Sequence, residues 1–466
     1  TNTNTDVLID GSGAVDIGTA TFTLAATDGD SDDDVFNTSV QATGDASFTV
    51  NTVATNSATG SNDTDDLLVD LDAGSNEASF TVTSGSDFGA ITIDNSNARL
   101  DIDGGITSTG DVDNDGTTDI EGAATLASGG GDINNSGTVD VKAAATLGGG
   151  SSITNTGGTV NITSSGVTLD AGGNSIDNGP GGTIDADVDA TLIGAVNNET
   201  GGSDGQVDVA GGNTVTINTG SGDVEHTGSE DNANGFTGDG TVEFATENGN
   251  AHTIAGGNFT VSEVDATAAV TVSSNTDVSG VFDADAEITV NADLRMDGTA
   301  RFEDGSIAPN SGSPSLTFGG TNSATLFPGD TFDFDGDVTF AKTSATSSPI
   351  VTLNNSVRIQ GDVTVQHNDL TGSEDVALDL QSNDLFVDGS SSTFTLNGSA
   401  TEREIDGTGR VVFENGASAT NPVENSAPTI EGSGGYGNIA IANTNNDGED
   451  VFVPNGEIIT FHGTLE

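Results

Sequence analysis

The sequence predicts an all-β protein that is wound as a parallel β-solenoid, with about 21–24 residues in each coil of its central part. Three observations support this fold class. Apolar residues alternate with polar ones, a strand-like motif recurs at a nearly constant spacing, and Gly and Asn separate the copies. Together they indicate short strands joined by tight turns.

The alternation of apolar and polar residues marks individual strands. It is seen at residues 21–24, 48–50, 91–93, 207–209 and 363–365. A period of two with many β-branched residues is typical of half-buried strands. Helical periodicity is almost absent, and Gly interrupts the Ala-rich stretches. The chain is therefore predicted to be nearly all β.

A strand motif of the Gly-Thr-Val-Asp-Val type recurs in the middle of the chain. Its copies begin at Thr117, Thr138, Thr159, Thr183 and Gln206, so the spacings are 21, 21, 24 and 23 residues. Two further columns keep step with it, namely Leu126, Leu147, Leu169 and Leu192, and the turn residues Asn135, Asn155, Asn178 and Asn198. Three columns with one period predict the stacked coils of a β-solenoid.

Stacking of the coils determines which side chains are buried. We expect Val139, Val141, Leu147 and Ile153 to point inward and Asp140 to point outward. The turn asparagines are expected to form a hydrogen-bonded ladder. Crossovers between parallel strands are normally right-handed, which favours a right-handed β-helix. At ~4.8 Å per coil, the whole chain would form a rod on the order of 100 Å long.

Three regions are predicted along the chain. Residues 1–90 contain an x-Phe-Thr strand motif at Phe22, Phe48 and Phe80, which suggests irregular coils with acidic loops. Residues 91–235 hold the regular repeats. Residues 236–466 contain 15 of the 20 phenylalanines, which predicts a Phe-rich β-solenoid, or wider β coils with aromatic stacks or a second packed sheet. The coils of this region are expected to continue beyond the last residue of the sequence.

The charge of the chain excludes several classes of partner. There are 73 acidic side chains and 8 basic ones, for a net charge of -65. Such a chain does not neutralise nucleic-acid phosphates or settle on an anionic membrane. The absence of Cys excludes disulfides and thiolate chemistry. No apolar run approaches ~18 residues, so no transmembrane helix is expected.

The central repeats resemble those of secreted β-helical surface proteins. The residues that carry the resemblance are 133–141, Ile-Asn-Asn-Ser-Gly-Thr-Val-Asp-Val, and their copies, which are similar to repeats of filamentous-haemagglutinin-like adhesins and autotransporter passengers. Residues 434–443 and 463–466 resemble a strand-turn unit of large surface proteins from Bacteroidota-like bacteria. The resemblance implies a solenoid fold and a location at the cell surface, but no particular activity.

One segment is similar to the start of a calcium loop. Asp111, Asp113 and Asp115 alternate before Gly116, and Thr117 and Asp119 offer further oxygens. Hard cations such as Ca²⁺ take 6–8 oxygen ligands, which makes calcium the candidate cofactor here. The Glu that closes an EF-hand loop is absent, since Gly122 stands at its position. A plain solvated turn is the alternative. Residues 28–34 and 443–450 are weaker candidates.

The sequence does not indicate an enzyme. The four histidines lie far apart, Trp is absent, and Tyr436 is the only tyrosine. Polysaccharide lyases and hydrolases with β-helical folds need carboxylates clustered with Arg or Lys, often beside aromatic platforms. Here the six arginines are scattered. Eight Asn-x-Ser/Thr sequons occur, a number that the composition alone makes unremarkable.

The acidity instead indicates a salty medium. Outward Asp119, Asp140, Asp185 and Asp208 fall in one column that Asn161 interrupts. Neighbouring charges ~4.8 Å apart repel by roughly 0.9 kcal/mol in unscreened water, and molar salt screens that repulsion. An excess of Asp with few Lys is typical of halophiles. We therefore expect the fold to depend on salt.

These observations predict a non-enzymatic extracellular protein of a halophilic microbe. We expect it to build a cell-surface filament, sheath or stalk, with itself as head-to-tail partner or with other surface components as partners. One reason is that no polar cap is evident at either end of the sequence. The alternatives are a surface adhesin that binds a ligand through its C-terminal half, and a viral tail fibre or spike.

Overall fold

A computed structural model describes the backbone and side chains of most of residues 79–395. Its gaps are 84–87, 89, 94, 199–204, 221–222, 228–234, 247–248, 303–306, 309–313, 329–331, 343–348, 367–377, 389–391 and 393. Outside these residues it describes Val411 and the backbone of strands. The chain divides into two compact units, Thr1–Asn250 and Ala251–Glu466.

The first unit contains 28 strands and no helix among its described residues. They are β1 Val7–Ile9, β2 Gly13–Asp16, β3 Thr21–Leu24, β4 Thr38–Ala42, β5 Ala46–Val50, β6 Thr52–Thr55, β7 Leu67–Val69, β8 Ala78–Val82, β9 Ser86–Phe88, β10 Ile91–Ile93, β11 Ala98–Ile102, β12 Ile106–Ser108, β13 Val112–Asn114, β14 Thr117–Ile120, β15 Ala124–Leu126, β16 Ile133–Asn135, β17 Thr138–Val141, β18 Ala145–Leu147, β19 Ile153–Asn155, β20 Thr159–Ile162, β21 Val167–Asn178, β22 Thr183–Ala186, β23 Ala190–Asn197, β24 Gln206–Val209, β25 Thr214–Asn218, β26 Val224–His226, β27 Gly235–Thr237 and β28 Thr241–Ala245.

The second unit contains 22 strands and likewise no helix in the part that is described. They are β29 His252–Thr260, β30 Glu263–Ala266, β31 Val270–Val278, β32 Val281–Ala284, β33 Glu287–Val290, β34 Leu294–Met296, β35 Ala300–Phe302, β36 Ser306–Pro309, β37 Ser315–Phe318, β38 Ala324–Pro328, β39 Asp333–Phe334, β40 Asp337–Lys342, β41 Val351–Leu353, β42 Val357–Ile359, β43 Val363–His367, β44 Leu378–Asp379, β45 Asp384–Asp388, β46 Thr393–Asn397, β47 Ile405–Asp406, β48 Arg410–Glu414, β49 Ser418–Thr420 and β50 Ile439–Ile441.

Three stacks of parallel strands form the β-solenoid of the first unit. The first stack is β1, β4, β7, β10, β13, β16, β19 and the C-terminal halves of β21 and β23. The second stack is β2, β5, β8, β11, β14, β17, β20, β22, β24 and β27. The third stack is β9, β12, β15, β18, the N-terminal halves of β21 and β23, β25 and β28. The predicted fold class is thereby confirmed.

The second unit is also built from parallel stacks. One runs through β29, β31, β34, β37, β40, β43, β46 and β49, and β33 and β36 continue from β31 as a branch. A further stack is β30, β32, β35, β38, β41, β44 and β47. A five-stranded sheet of β39, β42, β45, β48 and β50 joins them from Asp333 onward.

The core of each unit is a column of inward side chains. Val139, Val141, Leu147 and Ile153 are all buried and Asp140 is only half-buried, as the sequence predicts. In the second unit the column becomes aromatic. For example, the rings of Phe318 and Phe340 stack with their centroids 5.3 Å apart. Alternation along each strand thus gives every coil a few buried residues, which stabilise it through contact with the coils on either side.

The pairing in residues 1–90 corrects one part of the sequence interpretation. Phe48 of β5 and Phe80 of β8 are register partners, as their common motif suggests. Phe22 of β3 instead pairs with Val53 of β6, and the partner that precedes Phe48 is Val15 of β2. The motif at Phe22 therefore belongs to another strand of the coil. A long coil can carry two similar strands, so a motif alone did not fix the register.

Glycines permit close approach of the backbone where the first stack turns into the second. A Cβ on Gly137 would lie 2.0 Å from the carbonyl oxygen of Gly116 in the preceding coil. A Cβ on Gly182 would lie 2.1 Å from the carbonyl oxygen of Asn155. Real Cβ atoms do not come so near to oxygen, so only Gly fits at these turns.

Candidate functional site

The predicted calcium segment forms a strand and a turn in the outer wall of the solenoid. Asp113 is the exposed middle residue of β13, and Asp111 and Asp115 are exposed on either side of that strand. Each carboxylate accepts a hydrogen bond from the next coil: Asp111 from the backbone N of Asp132 (2.9 Å), Asp113 from Asn134 Nδ2 (2.8 Å), and Asp115 from Ser136 Oγ. These contacts hold neighbouring coils together.

Thr117 and Asp119 lie on the other side of that turn. Thr117 is half-buried at the start of β14, and Asp119 is buried in the same strand beside Arg99 and Lys142. Among the described residues, no group of three or more His, Asp or Glu side chains is arranged to hold a metal ion. Calcium binding at Asp111, Asp113, Asp115, Thr117 and Asp119 stays a prediction. Residues 28–34 and 443–450 lie outside the described residues.

A ladder of buried asparagines runs along the inside of the first stack. The Nδ2 atoms of Asn114, Asn135, Asn155 and Asn178 each donate to Oδ1 of the next asparagine, at 2.7, 2.7, 2.8 and 3.1 Å. The same nitrogens also donate to the backbone oxygens of Thr138, Thr159, Thr183 and Gln206. The ladder predicted for Asn135, Asn155, Asn178 and Asn198 is confirmed.

The two ends of the ladder differ. At Asn114, Oδ1 accepts a hydrogen bond from Thr118 Oγ1 at 3.4 Å. At Asn198, Nδ2 is buried without a partner among the described residues. Sequence reasoning missed Asn114 because it lay inside the supposed calcium loop. Its position 21 residues before Asn135 could have placed it in the ladder.

The predicted column of acidic side chains runs along the outside of the second stack. Its members pair in register from one strand to the next, in the order Thr81, Asp101, Asp119, Asp140, Asn161, Asp185, Asp208 and Thr237. A carboxylate accepts hydrogen bonds but cannot donate one, so two adjacent aspartates have no direct bond to make. The groups around each aspartate therefore determine how much its charge destabilises the stacked coils.

Two basic residues compensate the early part of this column. Arg99 contacts Asp101 through Nε and Asp119 through Nη2, and Lys142 Nζ contacts Asp119 and, at 3.4 Å, Glu121. The side chain of Asp119 is only 2 % exposed, whereas those of Arg99 and Lys142 are 42 % exposed. The hydrogen bond and charge of Asp119 raise the pKa of Lys142 against the effect of burial. Sequence reasoning missed both bases because neither belongs to a repeated motif.

The later part of the column has neutral donors instead of bases. Asn161 Nδ2 donates to Asp140 Oδ1 at 2.6 Å, and Thr237 Oγ1 donates to Asp208 Oδ1 at 2.9 Å. Between them, partial burial raises the pKa of Asp185, and the carboxylates of Asp187 and Asp208 add to this effect. The ionised form of Asp185 is thus the least compensated in this stretch.

The outward face of the third stack carries threonine hydroxyls where the second stack carries carboxylates. Its outward positions hold threonines in register, namely Thr107, Thr125, Thr146, Thr168, Thr191 and Thr216. Beside the first three lies a shallow groove of about 590 Å³, which is also lined by Gly105, Ala123 and Ala144. Among the described residues, no ionisable side chain lines this groove, which there presents the hydroxyl and methyl groups of small residues on an acidic protein.

A buried lysine marks the second unit. Lys342 ends β40 at an inward position, is fully buried, and donates from Nζ to the backbone oxygen of Asp297 at 2.8 Å. Burial lowers the pKa of Lys342 to about 8, although the charge of Asp297 opposes this change. The carboxylate of Asp297 pairs with Arg295 Nε at 2.8 Å. Sequence reasoning missed this cluster, since a lysine that ends a strand normally reaches solvent.

The described histidines serve the fold. His226 is buried, and its Nδ1 accepts a hydrogen bond from the backbone N of Val196 at 3.0 Å. Its ring also lies 5.4 Å from that of Phe244. His252 is likewise buried at the start of β29. These positions agree with the expectation that isolated histidines on strands are structural.

Comparisons with known proteins returned no match to this chain, whether against family models, curated proteins or solved structures. The resemblance to secreted surface proteins stays a prediction. Within the described part of the chain, no helix has the length and apolarity needed to cross a membrane.

Proposed function

We propose that the chain is a non-enzymatic, extracellular structural protein of a salty medium. In this role it builds a surface filament, sheath or stalk by end-to-end stacking of β-solenoid coils. The observation that carries the proposal is the chemical identity of register partners. Residues that face each other across successive coils are the same, or nearly the same, over most of 112–209.

Identical partners make stacking self-propagating. The strand Thr138–Val141 pairs with Thr117–Ile120 on one side and with Thr159–Ile162 on the other. A coil therefore offers on each side the backbone and side-chain pattern that another coil requires. A coil of this type from a second copy meets the same requirement, and such a head-to-tail contact extends without closing.

The charge distribution supports an ion-rich extracellular setting. The outer column repels itself wherever bases are lacking, as at Asp185 and Asp208. Salt at molar concentration reduces the Debye length to ~3 Å, which is shorter than the ~4.8 Å between coils. Stacking of such columns is therefore favoured in concentrated salt. The acidity also disfavours nucleic acids and anionic membranes as partners.

An adhesin is the second candidate, and one observation favours it. The groove beside Thr107, Thr125 and Thr146, whose described lining is uncharged, suits a neutral ligand better than the acidic second stack does. The aromatic residues of the second unit offer less support, since eight of its described phenylalanines are buried in the core. These are Phe259, Phe282, Phe302, Phe318, Phe332, Phe334, Phe340 and Phe394.

Negative-stain microscopy of the purified full chain at molar and at low salt tests the proposal. We expect long polymers at molar salt that dissociate when salt is removed. Single rods at every salt concentration would contradict the proposal and favour the adhesin. Side-by-side trimeric spikes would contradict it in favour of a viral tail fibre. Light scattering over a dilution series distinguishes polymers from aggregates, because a filament has a critical concentration.

A further inference from the structure

Five sequons with described side chains can be compared for their fitness to carry a glycan. Their asparagines are Asn134, Asn161, Asn198, Asn258 and Asn354. An N-linked glycan is a bulky modification of a surface asparagine, and it replaces one hydrogen of Nδ2. A suitable acceptor must therefore be exposed, and its Nδ2 must not be needed to hold neighbouring coils together.

Four of these asparagines do not meet this condition. Asn198 is fully buried at the end of the ladder. Asn134 Nδ2 donates to Asp113 Oδ1 at 2.8 Å, and Asn161 Nδ2 donates to Asp140 Oδ1 at 2.6 Å. Asn258 lies within β29, is only half-exposed, and already has an interaction partner. A glycan at any of these positions would oppose the stacking of the coils.

Asn354 meets the condition. It is exposed in the turn between β41 and β42, and its backbone N is held by the carbonyl oxygen of Leu326 at 2.9 Å. Its side chain makes no hydrogen bond within the described part of the chain. The sequon hydroxyl of Ser356 accepts a hydrogen bond from the backbone N of Asp384 at 2.9 Å, which fixes the turn while its own O–H can still donate. The backbone at Asn354 is thus ordered and its Nδ2 is available.

We propose that Asn354 is an N-glycosylation site whose donor is a lipid-diphosphate-linked oligosaccharide. In the transfer, Nδ2 of Asn354 forms a bond to C1 of the first sugar. The bond from C1 to the diphosphate oxygen breaks, the lipid diphosphate leaves with that electron pair, and Nδ2 loses one proton. The inference rests on the proposed extracellular role, because the donor and its transferase act on exported chains.

The test is glycopeptide mass spectrometry of the full chain secreted from insect cells, with chain made in the bacterial cytosol as the unmodified reference. We expect occupancy of Asn354 at least tenfold above that of Asn134 or Asn161 in the folded, secreted fraction. Asn354→Gln should lose one glycan mass, and Ser356→Thr, which keeps the hydroxyl, should retain it. Both variants should give the β-sheet circular dichroism of the parent.

Equal or higher occupancy of Asn134 or Asn161 would overturn the proposal, and so would an unmodified Asn354. The outcome is separable from that of the filament test. If a chain that is unmodified at Asn354 formed polymers, the glycosylation site would be contradicted and the filament would not. A glycan at Asn354 on single rods would leave the site standing and contradict the filament.

Discussion

The asparagine ladder and the aspartate column run through the same coils of the first unit, one on the inside of the first stack and one on the outside of the second. Both repeat one side chain from coil to coil. In the ladder each amide donates to the next amide at 2.7–3.1 Å. In the column no aspartate donates, and Arg99, Lys142, Asn161 and Thr237 supply the donors instead.

This difference shows when stacking identical residues is favourable. An amide has both a donor and an acceptor, so a column of amides bonds to itself without charge. A carboxylate has acceptors only and carries charge, so its column needs an inserted donor, a base or screening ions. Burial strengthens the contrast, because the asparagines of the ladder are buried while most members of the column are half-buried.

Breaking the ladder is expected to have the largest effect. Asn135→Ala removes the acceptor of Asn114 and leaves Asn155 Oδ1 without its donor. Because unsatisfied buried groups cost about 1–3 kcal/mol each, we expect a loss of roughly 3 kcal/mol in the free energy of unfolding. Asn134→Ala, at the exposed neighbouring position, should cost less than about 1 kcal/mol. Urea unfolding at molar salt measures both, and equal losses would contradict the role of the ladder.

Removing the bases should make the early part of the column resemble the later part. In the Arg99→Ala, Lys142→Ala double variant, Asp119 stays buried without a cation. Breaking a buried pair costs 3–5 kcal/mol, and the half-exposed bases reduce this to about 2 kcal/mol. Arg301→Ala is the control, since the nearest carboxylate oxygen among the described residues, Asp283 Oδ2, lies 4.0 Å from its Nε. Salt titration of the unfolding midpoint should show a steeper slope for the double variant, and an unchanged slope would count against compensation by these bases.

Lys342 is a buried donor that belongs to neither the ladder nor the column. Its protonation should make the stability of the fold depend on pH. Its pKa of about 8 lies below the ordinary 10.5, so the unfolded chain binds more protons between these values and stability rises with pH there. Lys342→Met should stabilise the fold by roughly 2 kcal/mol at pH 7, after allowance for the lost hydrogen bond to Asp297.

The pKa of the only other lysine, Lys142, is shifted in the opposite direction, so the two lysines make stability depend on pH in opposite ways. Because the pKa of Lys142 is raised, its contribution is present below pH 10.5 and is lost above its pKa in the fold. Melting temperatures of the parent and of Lys342→Met between pH 7 and 10 give the measurement. If the melting temperature of Lys342→Met still rose with pH as that of the parent does, the rise could not be due to Lys342.

Asn161→Asp should extend the uncompensated stretch by one coil. It replaces the donor to Asp140 with a charge beside Asp140 and Asp185. We expect a loss of about 1.5 kcal/mol at low salt and much less at molar salt, since each neighbouring pair repels by roughly 0.9 kcal/mol when unscreened. Asn161→Ser serves as a neutral control in the same urea titration. Equal losses at both salt concentrations would show that charge is not the cause.

Asp185→Asn should have the smallest effect and the opposite sign. The pKa of Asp185 is raised, so its ionised form destabilises the fold, and the parent gains stability as pH falls through that pKa. We expect the variant to be more stable by less than about 1 kcal/mol at low salt and neutral pH. Comparing melting curves at pH 7 and pH 4 checks this, because the advantage should shrink at the lower pH. A variant less stable than its parent at pH 7 would contradict the sign.

The sequence predicted the features that repeat. The register of Val139 with Val160, the inward Leu147 and the ladder at Asn155 all followed from one period of about 21 residues. Alternation fixes which side chains point inward, and the period fixes which residues meet across coils. For this reason the aspartate column could also be predicted in register.

Features that occur once could not be predicted in the same way. Arg99 and Lys142 reach Asp119 from coils on either side, and only coordinates show that Asp119 is buried between them. Lys342 lies inside the core because its strand continues the alternation of Val338 and Phe340. Asn114 was assigned to a calcium loop because a local motif outweighed the long-range period.

The salt dependence of unfolding of the parent chain tests the central claim most directly. Circular dichroism during dialysis from molar salt to low salt, in the presence of a chelator, follows the β-sheet signal while screening is removed. The account predicts that the signal is lost, or that the midpoint of urea unfolding falls steeply, because the aspartate column then repels itself across the coils. An unchanged signal and an unchanged midpoint would contradict it.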